Sequence, residues 1–133
     1  DESRQRLGEA FWDWGIPTAA SVVEVVQSVD LTVVASGGVR TGVDVAKAVA
    51  LGADLSSLTS PILRPATKDT KEVKKALQLM IEELKNTMFL VGADSIQKLK
   101  EIPLVLVGKT AEWLRARGFH PELYATRRRG KIT

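Results

Sequence analysis

The sequence predicts an α/β fold in which short parallel strands alternate with helices packed on their outer side. Residues 31–35 and 53–59 are short apolar segments, typical of strands buried on both faces, and a segment of helical character precedes each of them. A crossover of this length makes the two strands parallel. The 133 residues suffice for one modest domain, whereas a complete eight-unit α/β barrel needs about 250 residues.

The first helix is predicted over residues 18–29, after residues 1–15, which are polar up to Gly8 and are expected to be a loop. Pro17 suits the first position of a helix, because the N–H group that proline lacks has no partner there. Alanine and valine cover most faces of this helix, which indicates that it is largely buried or packed on a sheet. The strand that follows, Leu31-Thr32-Val33-Val34-Ala35, leads directly into a glycine-rich turn.

The second helix begins after that turn, and its start has the pattern of a capping box. Thr41 can accept a hydrogen bond from the main chain of Asp44, and the Asp44 carboxylate can accept one from the main chain of Thr41. The helix is expected to stop at Gly52, since glycine favours the left-handed position that follows a helix. The second strand, over residues 53–59, is expected to end before Pro61.

A long amphipathic helix is predicted over residues 71–90, where apolar side chains recur every three or four positions. We interpret its apolar stripe as packing against the sheet. Beyond it, a short helix, an extended segment and a last short helix are predicted over residues 95–100, 104–107 and 110–117. The chain is accordingly divided into a loop (1–15), the strand–helix units with the candidate site (16–63), the long helix with a C-terminal extension (64–118) and a basic tail (119–133).

Composition excludes several kinds of site and several kinds of partner. The chain has no cysteine, so it has no disulfide, no thiolate metal site and no cysteine nucleophile. No apolar run reaches the ~20 residues that span a bilayer, and the polar start does not have the pattern of a signal peptide. The net charge of +3 reflects basic residues close to the end, without the interleaved aromatic residues of a nucleic-acid surface. We expect a cytoplasmic protein with no membrane or nucleic-acid partner.

The glycine turn, residues 36–42, is the candidate binding site. Two adjacent glycines allow a sharp change of direction and leave no side chain between the main chain and a ligand. The N–H groups of Gly38, Val39 and Arg40 are expected to point outward near a helix N-terminus, an arrangement that favours an anion. Thr59 and Ser60, at the end of the second strand, can supply the other side. From the spacing alone, a turn that binds nothing is equally compatible with the sequence.

Several segments resemble one enzyme family. The most specific are Trp14-Gly15-Ile16-Pro17-Thr18-Ala19 and Met88-Phe89-Leu90-Val91-Gly92. They are supported by residues 35–42, 44–48, 50–54, 83–85, 103–105, 108–110 and 112–114. Together these segments are similar to the C-terminal portion of type 2 isopentenyl-diphosphate isomerases, which are FMN-dependent (β/α)8 barrels. The segment Ser36-Gly37-Gly38-Val39-Arg40 alone is shared with other FMN barrels, such as α-hydroxy acid oxidases.

The resemblance implies a partial (β/α)8 TIM barrel: the last two strands with their flanking helices, then a C-terminal helical extension. It implies that the FMN phosphate is held by Gly38, Val39 and Arg40, and by Thr59 and Ser60 at the end of the second strand. It further implies a whole enzyme of isoprenoid biosynthesis that interconverts isopentenyl diphosphate and dimethylallyl diphosphate with reduced FMN, NAD(P)H and Mg²⁺. A missing N-terminal barrel portion and a homo-oligomer are expected as partners.

The sequence departs from the family in two respects. At Ser56-Ser57-Leu58 the family usually has glycine and alanine, so the contact at Thr59 and Ser60 is defined less firmly than the contact at Gly38. The family's substrate and metal residues lie on earlier strands, so we assign no catalytic and no metal-binding residue in this chain. His120, Glu9, Asp13 and Glu24 are interpreted as solvated side chains.

We therefore expect the 133-residue chain to be inactive by itself. Two alternatives stay open. The chain can be a non-catalytic module that binds flavin or phosphate or serves in assembly, since unpaired strand edges seek partners. It can also be part of another FMN-dependent barrel, such as an α-hydroxy acid oxidase.

Overall fold

The structure is a computed structural model in which residues 2–127 are described. Its elements, in chain order, are α1 (Glu2–Ala10), α2 (Thr18–Ser28), β1 (Val34–Ala35), α3 (Gly42–Ala50), β2 (Leu55–Ser56), α4 (Ser60–Ala66), α5 (Thr70–Leu90), α6 (Ile96–Glu101), α7 (Gly108–Ala116) and α8 (Glu122–Ala125). The strands β1 and β2 pair in parallel, with Val34 opposite Leu55 and Ala35 opposite Ser56. The predicted α/β unit with parallel strands is therefore confirmed.

The two-stranded sheet has one covered face and one open face. Ala35 is only 2% exposed and packs in a core cluster with side chains of α2 and α3. Val34 and Leu55 point to the opposite face, because side chains alternate along a strand, and they are 52% and 59% exposed. The paired part of the strands is shorter than predicted, since within residues 2–127 only two residue pairs form, Val34 with Leu55 and Ala35 with Ser56. The open face is thus apolar and uncovered within residues 2–127.

Two core clusters hold the helices on the covered side of the sheet. One centres on Val23, Leu114 and Tyr124 and joins α2, β1, α7 and α8. The other centres on Val49 and Leu99 and joins α3, α5 and α6. Helix α3 contributes buried side chains to both clusters, so it connects the sheet to the C-terminal helices.

Most predicted helices are confirmed close to their expected bounds, including the long helix α5. Its apolar stripe was predicted to pack against the sheet, but Leu84 and Met88 pack against α3 and α6 instead. The apolar segment over residues 104–107, which is predicted to be extended, forms neither a strand nor a helix. The main-chain N–H of Leu104 donates to the carbonyl oxygen of Tyr124 at 2.9 Å, so the segment pairs with α8 instead. Across residues 2–127, no helix has the length and apolar character required to cross a membrane.

Two helices occupy segments that the sequence did not predict to be helical. Residues 1–15 were expected to be a loop, but α1 spans Glu2–Ala10. This helix buries none of its residues, so packing does not explain it. It is stabilised locally by residues with high helix propensity and by a hydrogen bond from the Gln5 side chain to the Glu9 carboxylate at 3.2 Å. Helix α4 was missed because Pro61 was interpreted as a terminator. Pro61 lies instead in the first turn of α4, where the N–H group that proline lacks would have no partner within the helix.

Residues 119–127 are packed, which corrects this part of the prediction of a basic tail over residues 119–133. Tyr124 in α8 is 2% exposed, and its hydroxyl donates to the carbonyl oxygen of Leu51 at 3.0 Å. The guanidinium group of Arg127 lies 3.9 Å from the Tyr124 ring centroid. The same guanidinium group donates to the carbonyl oxygens of Ala50 and Lys100 at 2.7 and 2.9 Å, so Tyr124 and Arg127 together anchor this segment. Residues 128–133 of the predicted tail lie outside the described residues.

Glu24 is a second correction, because it is not a solvated side chain. Its carboxylate accepts hydrogen bonds from the indole N–H of Trp113 at 2.8 Å and from the guanidinium group of Arg117 at 3.3 Å. These two donors hold the pKa of Glu24 below its usual value. The three side chains join α2 to α7, so they attach the C-terminal helices to the helix that precedes β1.

Candidate functional site

The glycine turn between β1 and α3 has the main-chain geometry that the sequence predicts. Gly37 and Gly38 have φ angles of 95° and 74°, in the left-handed region that side chains disfavour. A Cβ atom on Gly37 would approach the Thr18 hydroxyl oxygen to 3.2 Å, whereas one on Gly38 would meet nothing within 4 Å. The main chain of Gly38 therefore faces open space and is accessible to a ligand.

All five residues predicted to hold an anion line one cavity of about 190 Å³. Its lining consists of Ser36, Gly37, Gly38, Val39, Arg40, Ser57, Thr59 and Ser60. The turn after β1 supplies one wall, because neighbouring parallel strands finish at the same edge of a sheet. The other wall is the loop after β2 with the start of α4, so Thr59 and Ser60 do not end the second strand as predicted. This site cavity is thus assembled from two segments that are separated along the chain.

Ser36 and Ser57 also line the site cavity, although the sequence assigned no ligand contact to either of them. Each is the first residue after its strand, as the bounds of β1 and β2 show. This position could have identified both serines from the sequence, since the residue that follows a parallel strand lies at the edge of the sheet where ligands bind. The two serines add hydroxyl groups that can donate to an anion.

The main-chain donors of the glycine turn are only partly available. The N–H group of Arg40 donates to the Asp44 carboxylate at 3.1 Å, so it does not point at a ligand as the sequence predicted. The N–H groups of Gly38 and Val39 donate to no other group within residues 2–127. The Arg40 side chain is exposed at the cavity rim. An anion here would meet two main-chain donors, several hydroxyl groups and one guanidinium group.

The start of α3 carries the capping box that the sequence predicts. The Thr41 hydroxyl accepts from the Asp44 N–H at 3.1 Å, and the Asp44 carboxylate accepts from the Thr41 N–H at 3.1 Å. Desolvation alone would raise the pKa of Asp44, but the hydrogen bonds from Arg40 and Thr41 outweigh it and hold that pKa below its usual value. The carboxylate therefore stays ionised at neutral pH and fixes the end of the glycine turn.

A second carboxylate at the start of α3 was missed by sequence reasoning. The N–H group of Gly42 donates to the Glu83 carboxylate of α5 at 2.6 Å. The contact joins residues 41 positions apart, and no local pattern indicates such a pair. The glycine itself was the indirect signal, because a residue without a side chain at the start of a helix allows another helix to approach closely.

The chemistry of the site cavity is that of anion binding. Its lining offers hydrogen-bond donors and one positive charge, but no carboxylate or imidazole that could transfer a proton to a bound molecule. In the part of the chain that the structure describes, no group of three or more histidine or acidic side chains is placed to hold a metal ion. Phosphate, with several acceptor oxygens and negative charge, is the ligand chemistry that fits these donors.

Comparison with known families places the site cavity inside a recognised domain. Residues 12–105 match the FMN-dependent dehydrogenase family. The matched range contains both strands, the glycine turn and the helices α2 to α6. It therefore contains every residue that lines the site cavity.

Curated relatives are similar over most of this chain but are much longer. The isopentenyl-diphosphate delta-isomerase of Methanothermobacter thermautotrophicus is 50% identical over 91% of this chain and 35% of its own length. That of Thermococcus onnurineus is 49% identical over 88% of this chain and 32% of its own length. The chain thus spans about a third of the curated relatives it matches. The similarity to isopentenyl-diphosphate isomerases that the sequence motifs predicted is confirmed.

Comparison with solved structures agrees with the match to the FMN-dependent dehydrogenase family. A mandelate oxidase variant with the monooxide FMN adduct superimposes with a TM-score of 0.62 and 32% sequence identity. The match covers 66% of this chain and 29% of the oxidase chain. Both the sequence and the structural comparisons therefore lead to proteins that are associated with FMN.

Proposed function

Because this chain belongs to the FMN-dependent dehydrogenase family, we propose that the site cavity binds the phosphate group of FMN. The observation that carries the proposal is that Gly38, Val39, Arg40, Thr59 and Ser60 line one cavity at the end of two parallel strands. Phosphate sites in barrel enzymes commonly form between the loops that follow the last two strands.

Each lining group has its own role in this proposal. The N–H groups of Gly38 and Val39 donate to phosphate oxygens, and the hydroxyl groups of Thr59 and Ser60 approach from the other wall. Arg40 contributes through its exposed guanidinium group, since its N–H group is already engaged within the chain. Charge-assisted hydrogen bonds of this kind are shorter and stronger than those between neutral groups.

We further propose that β1 and β2 are the last two strands of a (β/α)8 barrel, followed by a C-terminal helical extension. The open, apolar face bearing Val34 and Leu55 supports this, because such a face needs a cover in an α/β protein. The curated relatives are about three times longer than the matched segment, which fits a missing N-terminal barrel portion. Residues 16–63 are then the strand–helix units and residues 64–118 the extension.

For the whole protein we propose the interconversion of isopentenyl diphosphate and dimethylallyl diphosphate, the activity for which the similar curated proteins are named. Reduced FMN supplies the acid–base chemistry of this allylic isomerisation when it is bound. NAD(P)H as the reductant, Mg²⁺ as the ion that holds the diphosphate, and a homo-oligomeric assembly belong to the same proposal. The cytoplasmic location expected from the sequence stays a prediction. The role of this chain is to hold the phosphate end of the flavin.

The likeness to mandelate oxidase favours a second candidate, an FMN-dependent barrel that oxidises 2-hydroxy acids. Both candidates use the same phosphate site, so the site cavity does not separate them. The whole protein does: conversion of isopentenyl diphosphate supports the first candidate, and flavin reduction by a 2-hydroxy acid supports the second. The identity of 49–50% to the isomerases favours the first.

The phosphate site is tested by titrating the purified chain with FMN and with riboflavin, which has the same ring and no phosphate. We expect tighter binding of FMN. The variant Gly38→Asp places a carboxylate beside the phosphate and should weaken FMN binding by about tenfold or more, while riboflavin binding is unchanged. Gly108→Asp is the matched control, because Gly108 also has a positive φ of 61° and open space at the Cβ position.

Three results would contradict the proposal. The first is a wild-type chain that binds FMN no more tightly than riboflavin. The second is an equal loss of FMN binding in the Gly108→Asp control, which would trace the effect to backbone strain. The third is an unchanged FMN affinity in the Gly38→Asp variant.

A further inference from the structure

Glu83 connects α5 to the start of α3, which follows the cavity-lining residues Val39 and Arg40 in the sequence. Its carboxylate accepts the Gly42 N–H at 2.6 Å, and its side chain is partly buried between the two helices. Gly42 is the first residue of α3, and Arg40 and Val39 of the cavity wall lie just before it. A change at Glu83 therefore acts on the segment that presents the main-chain donors.

The approach of α5 to this point requires glycine. A Cβ atom on Gly42 would lie 2.6 Å from the main-chain nitrogen of Leu84 and closer still to the carbonyl oxygen of Met80. Both are main-chain atoms, so they cannot move aside as a flexible side chain could. The absence of a side chain on Gly42 thus gives the Glu83 carboxylate direct access to a helix N-terminus.

Two carboxylates consequently compete with an anion for the positive end of α3. Asp44 accepts the N–H groups of Arg40 and Thr41, and Glu83 accepts that of Gly42. An ionised carboxylate at a helix N-terminus offsets the partial positive charge that an anion would otherwise meet. The N–H groups of Gly38 and Val39, which line the site cavity, donate to no other group within residues 2–127.

We infer that Glu83 is a positioning residue for the phosphate site, with two separable effects. Its hydrogen bond to Gly42 fixes the start of α3 and so the direction of the Gly38 and Val39 donors. Its negative charge lowers the affinity of the site for the phosphate dianion. The inference rests on the proposed FMN-phosphate site and assigns to that site a residue from α5.

Variants at Glu83 separate the hydrogen bond from the charge. Glu83→Gln keeps a carbonyl oxygen that can accept from Gly42 but removes the negative charge. It should therefore raise FMN affinity by about two- to fivefold at low ionic strength and leave riboflavin affinity unchanged. Glu83→Ala removes the acceptor as well, so it should bind FMN at least about threefold more weakly than Glu83→Gln does.

Glu82→Gln is the matched control. Glu82 is the neighbouring residue of α5, is exposed, and its substitution changes the net charge of the chain by the same amount. We expect its FMN affinity to stay close to that of the wild-type chain, and the gain in Glu83→Gln to shrink as salt is added. An equal gain in both variants would overturn the inference in favour of a general charge effect.

The amide proton of Gly42 gives a readout that needs no flavin. A short hydrogen bond to a carboxylate moves such a proton downfield, so its resonance should lie downfield in the wild-type chain and shift upfield in Glu83→Ala. An unshifted Gly42 resonance overturns the inference whether or not FMN binds. A shifted resonance in a chain that binds no FMN instead overturns the proposed function while leaving the contact intact. FMN binding to the wild type with no change in Glu83→Gln overturns the charge effect alone.

Discussion

The cap of α3 was predictable residue by residue because it is local. Thr41 and Asp44 are three positions apart, and a hydroxyl followed at that spacing by an acidic residue is a known start signal for helices. The structure confirms both hydrogen bonds. The contact of Glu83 with Gly42 was not predictable, since it joins residues 41 positions apart and depends on how α5 packs. At the residue scale, short-range chemistry is readable from the sequence and long-range contacts are not.

The ionised state of Asp44 makes stability depend on pH in a defined direction. Its pKa in the folded chain lies below the value of about 3.9 in the unfolded chain. Asp44 therefore contributes stability that is present above that unfolded value and is lost as the pH falls through the folded pKa. We expect Asp44→Asn to lower the free energy of unfolding by about 0.5–1 kcal/mol at pH 7.

Urea unfolding of the wild-type chain and the Asp44→Asn variant at pH 7 and near pH 3 checks this. The difference between them should shrink at the acidic pH, because the wild-type carboxylate begins to protonate there. Asp30→Asn serves as the control, since Asp30 is exposed and caps no helix. A difference that stays constant over this pH range would show that the charge of Asp44 does not contribute.

At the scale of elements, periodicity predicted the helices that carry an apolar stripe and missed those that carry none. Helix α5 has such a stripe and was predicted almost to the residue, although none of its residues is fully buried. Helix α1 buries nothing, so no apolar stripe marked it. The last helix, α8, depends on one buried tyrosine and on main-chain contacts with distant residues. These are tertiary effects, and they outweigh local propensity in short segments.

The packing of α3 against α5 depends on a single glycine. We expect Gly42→Ala to lower the free energy of unfolding by about 3 kcal/mol, because its Cβ would overlap main-chain atoms of α5. Gly15→Ala is the control, since a Cβ there meets nothing within 4 Å and the φ of Gly15 is not positive. Urea unfolding of both variants measures the difference. A Gly42→Ala chain as stable as the Gly15→Ala chain would contradict the close approach of the two helices.

At the scale of the whole molecule, the open face of the sheet is the main departure from a self-contained domain. Val34 and Leu55 are more than half exposed, and the two strands pair only with each other in the described residues. The sequence predicted strands buried on both faces, and the structure buries one face. The difference has a physical reason: the core cluster of residues 2–127 lies on the Ala35 face of the sheet, and the face with Val34 and Leu55 has no such cover. The site cavity lies at the edge of this sheet and is already assembled without that cover.

Main-chain amide resonances measured during an FMN titration test the central claim most directly. The claim is that the cavity between the ends of β1 and β2 binds the flavin phosphate through the N–H groups of Gly38 and Val39. We predict that these two resonances shift downfield on addition of FMN, that inorganic phosphate reproduces the shifts at higher concentration, and that the Gly108 resonance stays in place. Saturable binding of FMN with its largest shifts elsewhere in the chain, and none at Gly38 and Val39, would contradict the account.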